Sequence, residues 1–320
     1  MNPVTTSNQQ PVTSNCTERE RNLPHAPGMG SQSIANLIDG QGWLDEASGP
    51  IADTIRDVLP RELKNLLHGT WLGHPLHPVL TDIPVGAWTV ALALDAVAGM
   101  TESEDVANAA DLSVGIGLLG AVGAAVTGAT DWSETYGRGR KVGLVHGMLN
   151  LAAAGLYTAS LISRRSGSRD TGVALSMLGF AIAGASAYLG GHLVFAEQIG
   201  IDHTATADAD KPEDFVRVLA AADLAENKPT RVVADGVAIV LVKRGEQIFA
   251  LTDTCPHLGG PLSEGPLLDG AIKCPWHGSE FALEDGSVVN GPSTFPARCF
   301  QVRVREGQIE LRAASKHAAK

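Results

Sequence analysis

Four apolar stretches constrain the fold of this 320-residue chain more than any other feature. They cover residues 79–100, 112–130, 142–163 and 172–196. Each is close to the ~20 residues that a helix needs to span a bilayer. The last three contain no Asp, Glu, Lys or Arg, and the first contains only Asp82 and Asp95. A soluble Ala- and Gly-rich bundle is the alternative, but it would need a polar face on every helix, which these stretches lack. We therefore predict four transmembrane helices.

The rest of the sequence divides by composition. The first 33 residues are rich in Ser, Thr, Asn, Gln and Pro and contain no apolar run, so they cannot bury enough surface to fold. The predicted segments, in chain order, are a disordered tail at 1–33, short amphipathic helices at 34–70, the four-helix membrane domain at 71–196, a flexible polar linker at 197–212, a β-rich domain at 213–312 and a tail at 313–320.

The β-rich domain is indicated by short β-branched runs that alternate with turn pairs such as Asp235-Gly236, Asp285-Gly286 and Glu306-Gly307. Candidate strands cover residues 231–233, 237–242, 247–251, 271–274, 281–283, 287–289, 300–305 and 308–311. This spacing predicts small antiparallel sheets. The predicted fold class is therefore multidomain, with an all-α four-helix transmembrane bundle followed by an all-β domain.

Charge sets the expected location and excludes one class of partner. The formal net charge of −11 argues against nucleic-acid binding, because such proteins present basic surfaces. No apolar h-region of a secretory signal lies near residue 1. If the four spans alternate in direction, the end of the bundle next to both termini has Arg61, Lys64, Arg138, Arg140 and Lys141, and the other end has Arg164, Arg165 and Arg169. The positive-inside rule then predicts a multi-pass protein of the cytoplasmic membrane with both termini and the β-rich domain in the cytoplasm.

Two motifs in the β-rich domain contain metal-binding residue types. Cys255 and His257 form a Cys-x-His motif, and Cys274 and His277 form a Cys-x-x-His motif after sixteen intervening residues. Two thiolates and two imidazoles match a [2Fe–2S] cluster held by two Cys on one iron and two His on the other. A zinc site can use the same four ligands, but it usually pairs Cys with Cys and His with His. The mixed pairs favour the iron–sulfur cluster.

With these motifs, residues 213–312 resemble a Rieske iron–sulfur domain over their full length. The resemblance extends to the downstream Gly291-Pro292 loop and to a closing hairpin. It implies that the two cysteines bind one iron and that the two histidines bind the other, near the tip of the domain. We also expect apolar neighbours such as Leu262 and Trp276 to exclude water from the cluster.

Three positions indicate which type of Rieske protein the chain resembles. Respiratory Rieske proteins carry a disulfide between the ligand loops, but Gly260 and Trp276 stand at the matching positions here. Phe281 stands where the high-potential type commonly has Tyr. The chain therefore resembles the ferredoxin and oxygenase-associated type, whose potential is expected toward the lower end of roughly −150 to +300 mV.

Four histidines flank or enter the predicted spans: His74, His77, His146 and His192. If the helices alternate in direction, all four fall at the same end of the bundle, with His146 and His192 each about 6 Å deep. Ionisable groups in spans are costly and often functional, so these residues could bind haem b, another metal or a quinone headgroup. A structural polar cluster is the alternative. Residues 71–196 resemble the DUF2231 membrane family, which carries the same His-Pro-x-His-Pro motif; this implies a membrane location and no activity.

Together these features predict a membrane-anchored Rieske-type protein that carries single electrons between a donor or membrane cofactor and a partner protein. The alternatives are an electron-supplying component of an oxygenase or reductase system and a non-catalytic redox or iron sensor. A complete oxygenase would need a mononuclear iron site downstream, and only His317 follows residue 312. We therefore recognise no complete catalytic site in the chain. The expected partners are the lipid bilayer and a redox protein.

Overall fold

The computed structural model describes residues 31–206 and 210–314. The helices are α1 (Ser31–Asp39), α2 (Gly42–Val58), α3 (Arg61–His68), α4 (Leu76–Thr101), α5 (Glu104–Ser133), α6 (Gly137–Arg165) and α7 (Arg169–Phe195). The predicted tails, 1–33 and 313–320, lie mostly outside the described residues. Helices α1 to α3 occupy the segment where short amphipathic helices were predicted, and α4 to α7 contain the four apolar stretches.

The four long helices form two antiparallel hairpins that pack side by side. Helix α4 lies along α5, α6 lies along α7, and the hairpins meet where α5 contacts α6 and α4 contacts α7. All four helices are long and apolar enough to cross a membrane. Large apolar side chains point away from the bundle, among them Leu119, Val122 and Leu151. An outward apolar surface of this kind suits lipid as the solvent, as the sequence predicts.

Small residues allow the helices of each hairpin to approach closely, as expected for helices in lipid. An ideal Cβ at Gly117 in α5 would lie 2.2 Å from Nε1 of Trp88 in α4. A Cβ at Gly128 would lie 2.7 Å from the ring of His77. The glycines of α5 therefore form the surface against which side chains of α4 pack closely.

A buried ion pair explains Asp95, one of the two acidic residues within the first span. The guanidinium of Arg164 in α6 donates two hydrogen bonds to the carboxylate of Asp95 in α4, one of them 2.7 Å long, and both side chains are buried. Asp111 and Arg169 extend this pair into a network of four charges. The network crosslinks α4, α5, α6 and α7 at the bundle end opposite α1 to α3. A charge that weakens the first span in sequence is therefore neutralised by its neighbours.

The β domain is built from three antiparallel sheets of three strands each. The strands are β1 (Val216–Ala220), β2 (Thr230–Ala234), β3 (Val237–Arg244), β4 (Gln247–Thr252), β5 (Ala271–Lys273), β6 (Glu280–Ala282), β7 (Val288–Asn290), β8 (Phe300–Arg305) and β9 (Gln308–Ala313). The sheet orders are β1-β9-β8, β2-β3-β4 and β5-β6-β7. This architecture confirms the predicted fold class. Strand β1 is the element that the sequence analysis did not anticipate.

Two apolar clusters hold this domain together. One, which includes Ile239, Leu241 and Leu311, joins the first two sheets. The other includes both motif cysteines and packs them among Leu262, Ile272 and Phe281. The two loops that contain Cys255 and Cys274 are therefore anchored in the apolar core of the domain.

Candidate metal centre

Two loops of similar design present the four predicted ligands. In the first, between β4 and a short 3₁₀ turn, the amide of Gly259 donates to the carbonyl of Cys255 at 2.9 Å, and the Cys255 amide donates to Gly260 at 2.8 Å. In the second, between β5 and β6, the Gly278 amide donates to the Cys274 carbonyl at 3.1 Å. Each loop thus folds tightly behind its cysteine. The histidine two or three residues later is directed toward the partner loop.

The two cysteines are buried and lie together. Cys255 and Cys274 are free thiols in the second apolar cluster. A hydrogen bond between them lowers the pKa of Cys274 to about 7 and raises the pKa of Cys255. The first proton leaves easily because the remaining thiol stabilises the thiolate, and the second proton is then held firmly. A Cβ at Gly260 would lie 2.9 Å from the sulfur of Cys274, so only glycine lets the first loop come this close. Cys274 therefore loses its proton readily, whereas the proton of Cys255 must be displaced when a metal binds.

The two histidines complete the site. The ring centroids of His257 and His277 are 4.9 Å apart and the rings are nearly perpendicular. Burial lowers the pKa of His257 well below its ordinary value. Burial, helped by Arg56 and Arg140, lowers the pKa of His277 to about 4. Both rings are therefore neutral at pH 7, as metal-ligating imidazoles must be.

These residues fit a [2Fe–2S] cluster. Nδ1 of His257 is buried without a hydrogen-bond partner in the described part of the chain, which leaves a lone pair free for a metal. In residues 31–206 and 210–314, no three His, Cys, Asp or Glu side chains are grouped around one point suited to a single metal ion. A thiol pair and a separate imidazole pair match a two-iron cluster better than a four-ligand zinc ion.

Three further residues of the β domain differ in how they relate to the candidate site. Cys299 is half-buried in a strand bridge with Leu251, and burial raises its pKa to about 11, so it remains a packed thiol. Leu262 is fully buried beside the cysteines, as expected. Trp276 is 55% exposed, so it does not seal the site as the sequence analysis expected. It borders an open cleft instead.

The tip of the β domain packs against α3, the short helix that precedes the membrane bundle. Asn65 in α3 hydrogen-bonds Asn290 and the amide of Gly291, each at 3.0 Å. Arg61 in α3 donates to the buried carboxylate of Glu280 at 2.6 Å. The sequence analysis missed this interface, because its partners lie more than 200 positions apart in the chain and belong to no motif.

The predicted linker also contributes to this placement. The amide of His203 donates to the carbonyl of Pro256, in the first ligand loop, at 3.0 Å. Arg298 donates to the carbonyl of Thr204 at 2.6 Å. The described part of the segment at 197–206 is therefore bonded to the β domain, in contrast to the flexible linker that its composition predicts.

A cleft leaves one of the four predicted ligands accessible. Tyr136, in the loop between α5 and α6, faces His277 with 5.1 Å between the ring centroids. The two rings, with Leu258 and Trp276, line a cavity of about 390 Å³. Electrons could enter or leave the site through this opening.

The membrane histidines meet in one pair. The rings of His77 in α4 and His146 in α6 have centroids 6.4 Å apart. Nδ1 of His77 donates to the carbonyl of Ala124 at 2.9 Å, and Nδ1 of His146 donates to the carbonyl of Ser186 at 2.8 Å. Each ring thus joins its own helix to the neighbour in the hairpin. These bonds favour the structural alternative over a haem, metal or quinone site.

The other two membrane histidines are not part of this pair. His74 is exposed and its Nδ1 donates to the carbonyl of Pro75 at 2.9 Å. His192 is buried and its Nε2 lies 3.1 Å from a carboxylate oxygen of Glu197. The cofactor suggested for the four residues stays a prediction from sequence.

Comparison with known proteins finds a matching family for each half of the chain. Residues 214–301 match the family described as Rieske [2Fe-2S] domain, and residues 73–203 match the family described as Predicted membrane protein (DUF2231). Ferredoxin CarAc of Metapseudomonas resinovorans is 37% identical over 103 residues, which cover 32% of this chain and 96% of that ferredoxin.

Two further relatives are similar. The anthranilate 1,2-dioxygenase ferredoxin subunit of Burkholderia cepacia is 33% identical over 89 residues, 28% of this chain and 82% of the subunit. The cytochrome b6-f complex iron-sulfur subunit 3 of a Nostoc species is 34% identical over 135 residues, 40% of this chain and 73% of the subunit. The chain therefore belongs to the Rieske [2Fe-2S] family through residues 214–301, and residues 73–203, which precede them, match the family model described as Predicted membrane protein (DUF2231).

Proposed function

We propose that this protein is a membrane-anchored carrier of single electrons, with a [2Fe–2S] cluster held by Cys255, His257, Cys274 and His277. The observation that carries the proposal is the pairing of two buried thiols with two neutral imidazoles on facing loops. When bound, such a cluster accepts and donates one electron. The protein's part is to hold it rigidly, shield its sulfur side and expose one histidine.

The residues divide these tasks between them. Cys255 and Cys274 lie in the apolar core, where Leu262 and Phe281 keep water from the sulfur atoms. His277 lies at the cleft, so the outer side of the cluster is the side that a partner can reach. This arrangement suits fast electron exchange at a protein surface.

The partner is proposed from the relatives. A ferredoxin subunit of a dioxygenase resembles the β domain, which supports an oxygenase or reductase as the acceptor. Attachment to a membrane bundle would keep the carrier beside a partner in or on the bilayer. The bundle would then act as anchor and docking platform, and a cofactor at its histidines is not required for this function.

Variants at the ligand loops test the site. We expect Cys274→Ser and His277→Ala to abolish cluster incorporation, because each removes one of four ligands. Cys299→Ser is the matched control and should retain the cluster, since Cys299 is packed in a strand bridge. The measurements are iron and acid-labile sulfide content, and the electron paramagnetic resonance spectrum of the reduced full-length protein in detergent. Full cluster occupancy in Cys274→Ser would refute the ligand assignment.

The same preparations separate a carrier from a sensor. A carrier should be reduced and reoxidised repeatedly by one-electron partner proteins in stopped-flow experiments, with full recovery of the cluster spectrum. A cluster that exchanges electrons only over minutes, or that disassembles on oxidation, would favour the sensor instead.

A further inference from the structure

The helices and loops that precede the β domain contribute three residues to the surroundings of the proposed cluster ligand His277. Tyr136, whose ring faces His277, lies in the loop that joins α5 to α6. The guanidinium carbon of Arg140, in the first turn of α6, lies 4.4 Å from the centre of the Tyr136 ring. Arg56, in α2, donates to the Tyr136 hydroxyl at 3.1 Å. One tyrosine therefore links a metal ligand to two cations.

Backbone contacts fix this group in place. Arg140 Nε donates to the carbonyl of Thr135 at 2.6 Å, and Arg56 donates to the carbonyl of Ser133 at 3.4 Å. Both carbonyls belong to the end of α5 and the loop after it. The two cations are therefore held against the end of α5 and the loop after it, and do not extend freely into solvent.

The two arginines differ in how far other charges neutralise them. Arg56 forms an ion pair with Asp53. Arg140 forms no ion pair with a carboxylate within the residues that the structure describes, and one of its terminal nitrogens is buried without a hydrogen-bond partner there. Within the described residues, Arg140 therefore lacks the close carboxylate partner that Arg56 has. Both arginines contact Tyr136, whose ring centroid lies 5.1 Å from that of His277.

A positive field at this position acts on the redox equilibrium. Reduction by a one-electron donor protein adds one negative charge to the cluster, and no bond forms or breaks. A fixed cation nearby stabilises the reduced state more than the oxidised state, and a partly buried site screens this effect less than water does. We propose that Arg140, assisted by Arg56, raises the reduction potential of the cluster, and that Tyr136 positions both cations against His277.

This inference rests on the proposed function and adds to it. The membrane bundle becomes part of the redox site, because the potential depends on the β domain being docked against α2, α6 and the loop between α5 and α6. Arg56, Tyr136 and Arg140 are positioning residues, and none of them is a ligand.

The test is a redox titration of the full-length protein in detergent, followed by electron paramagnetic resonance of the reduced cluster. We expect Arg140→Gln to have a lower midpoint potential than the wild type. Arg140→Lys keeps the charge and should stay close to the wild type. Arg138→Gln is the matched control, because Arg138 lies on the same helix but is paired with Glu197 at 2.7 Å, so its removal should shift the potential less than Arg140→Gln.

The outcomes are distinguishable. Equal midpoint potentials for Arg140→Gln and the wild type, with equal iron and sulfide content, would overturn the inference, as would an equal shift in Arg138→Gln. If Arg140→Gln fails to assemble a cluster, Arg56→Gln is titrated in its place. A midpoint potential equal to that of the wild type, at equal iron and sulfide content, would then overturn the inference. A wild-type protein without any [2Fe–2S] signal would instead refute the proposed function.

Discussion

Glu134 is a buried carboxyl group at the contact between α3 and the β domain. It follows α5 directly and is only 4% exposed. It lines a polar cavity of about 130 Å³ between α3 and the second ligand loop, together with Lys64 and His68. Burial raises the pKa of the Glu134 carboxyl, although His68, Lys64, Arg56 and Arg140 attract its charged form. Desolvation therefore outweighs these attractions.

The direction of this pKa shift gives a prediction about stability. Because the folded state holds the proton more tightly than the unfolded state, ionisation of Glu134 costs stability as pH rises from about 4.5 through the raised folded pKa. We expect Glu134→Gln to unfold at a higher temperature than the wild type at pH 8, and the difference to shrink as pH falls to 5. Thermal unfolding of the detergent-solubilised chain, followed by circular dichroism, measures it. A constant difference across this range would contradict the burial argument.

At the same scale, the sequence predicts the candidate metal ligands from local motifs, but it does not predict their surroundings. Cys255, His257, Cys274 and His277 are identifiable because few side chains bind iron and their spacing is local. Tyr136 is not identifiable in this way, since its role depends on how a loop of the membrane domain meets the β domain. Contacts across such distances depend on the whole fold, and one sequence contains no local pattern for them.

Close packing of helices gives a prediction at the scale of elements. The Trp88 ring in α4 cannot withdraw from Gly117, because it stacks on Tyr157 of α6 with centroids 4.0 Å apart. We expect Gly117→Ala to destabilise the bundle by about 1–3 kcal/mol, as overpacking of a filled core does. Thermal unfolding in detergent measures the loss.

Gly115→Ala is the matched control for this change. Gly115 lies on the same helix, and a Cβ there meets no atom within 4 Å. It should leave stability unchanged or raise it by up to about 1 kcal/mol through helix propensity. Equal effects of the two substitutions would show that contact with Trp88 does not limit the α4–α5 packing.

The elements that the sequence predicts are those with local signals. Four spans follow from length and apolarity, and eight strands follow from β-branched runs between turns. Strand β1 was missed because its partner β9 lies at the far end of the domain and Ala-rich sequence follows it. The ion pair of Asp95 with Arg164 could not be predicted either, since it joins residues on different helices.

At the scale of the whole molecule, the structure unites two parts that the sequence predicts separately. Helix α3 binds the tip of the β domain through Asn65 and Arg61. Because two antiparallel hairpins return the chain to its starting side, α1 to α3 and the β domain lie at the same end of the bundle. The docked arrangement therefore requires an even number of membrane crossings, which the four spans provide.

The last prediction concerns which side of the membrane carries this end. The end of the bundle next to the β domain is here termed the docking end. Near the spans it has five basic residues, Arg61, Lys64, Arg138, Arg140 and Lys141, whereas the other end has three arginines. Buried Arg164 is one of those three and is held inside the bundle by Asp95. Positive residues near the spans favour the cytoplasm, so we expect the docking end and the β domain to be cytoplasmic.

Reporter fusions measure this orientation. Alkaline phosphatase fused after Lys320 should be inactive, and a fluorescent protein at the same site should be bright. The loop at 166–168, between α6 and α7, offers the matched control, because a fusion there should give the reverse pattern. An active phosphatase after Lys320 would place the β domain outside the cytoplasm. The donor and acceptor would then have to be proteins of that compartment, because His277 and its cleft lie on the same side of the membrane as the β domain.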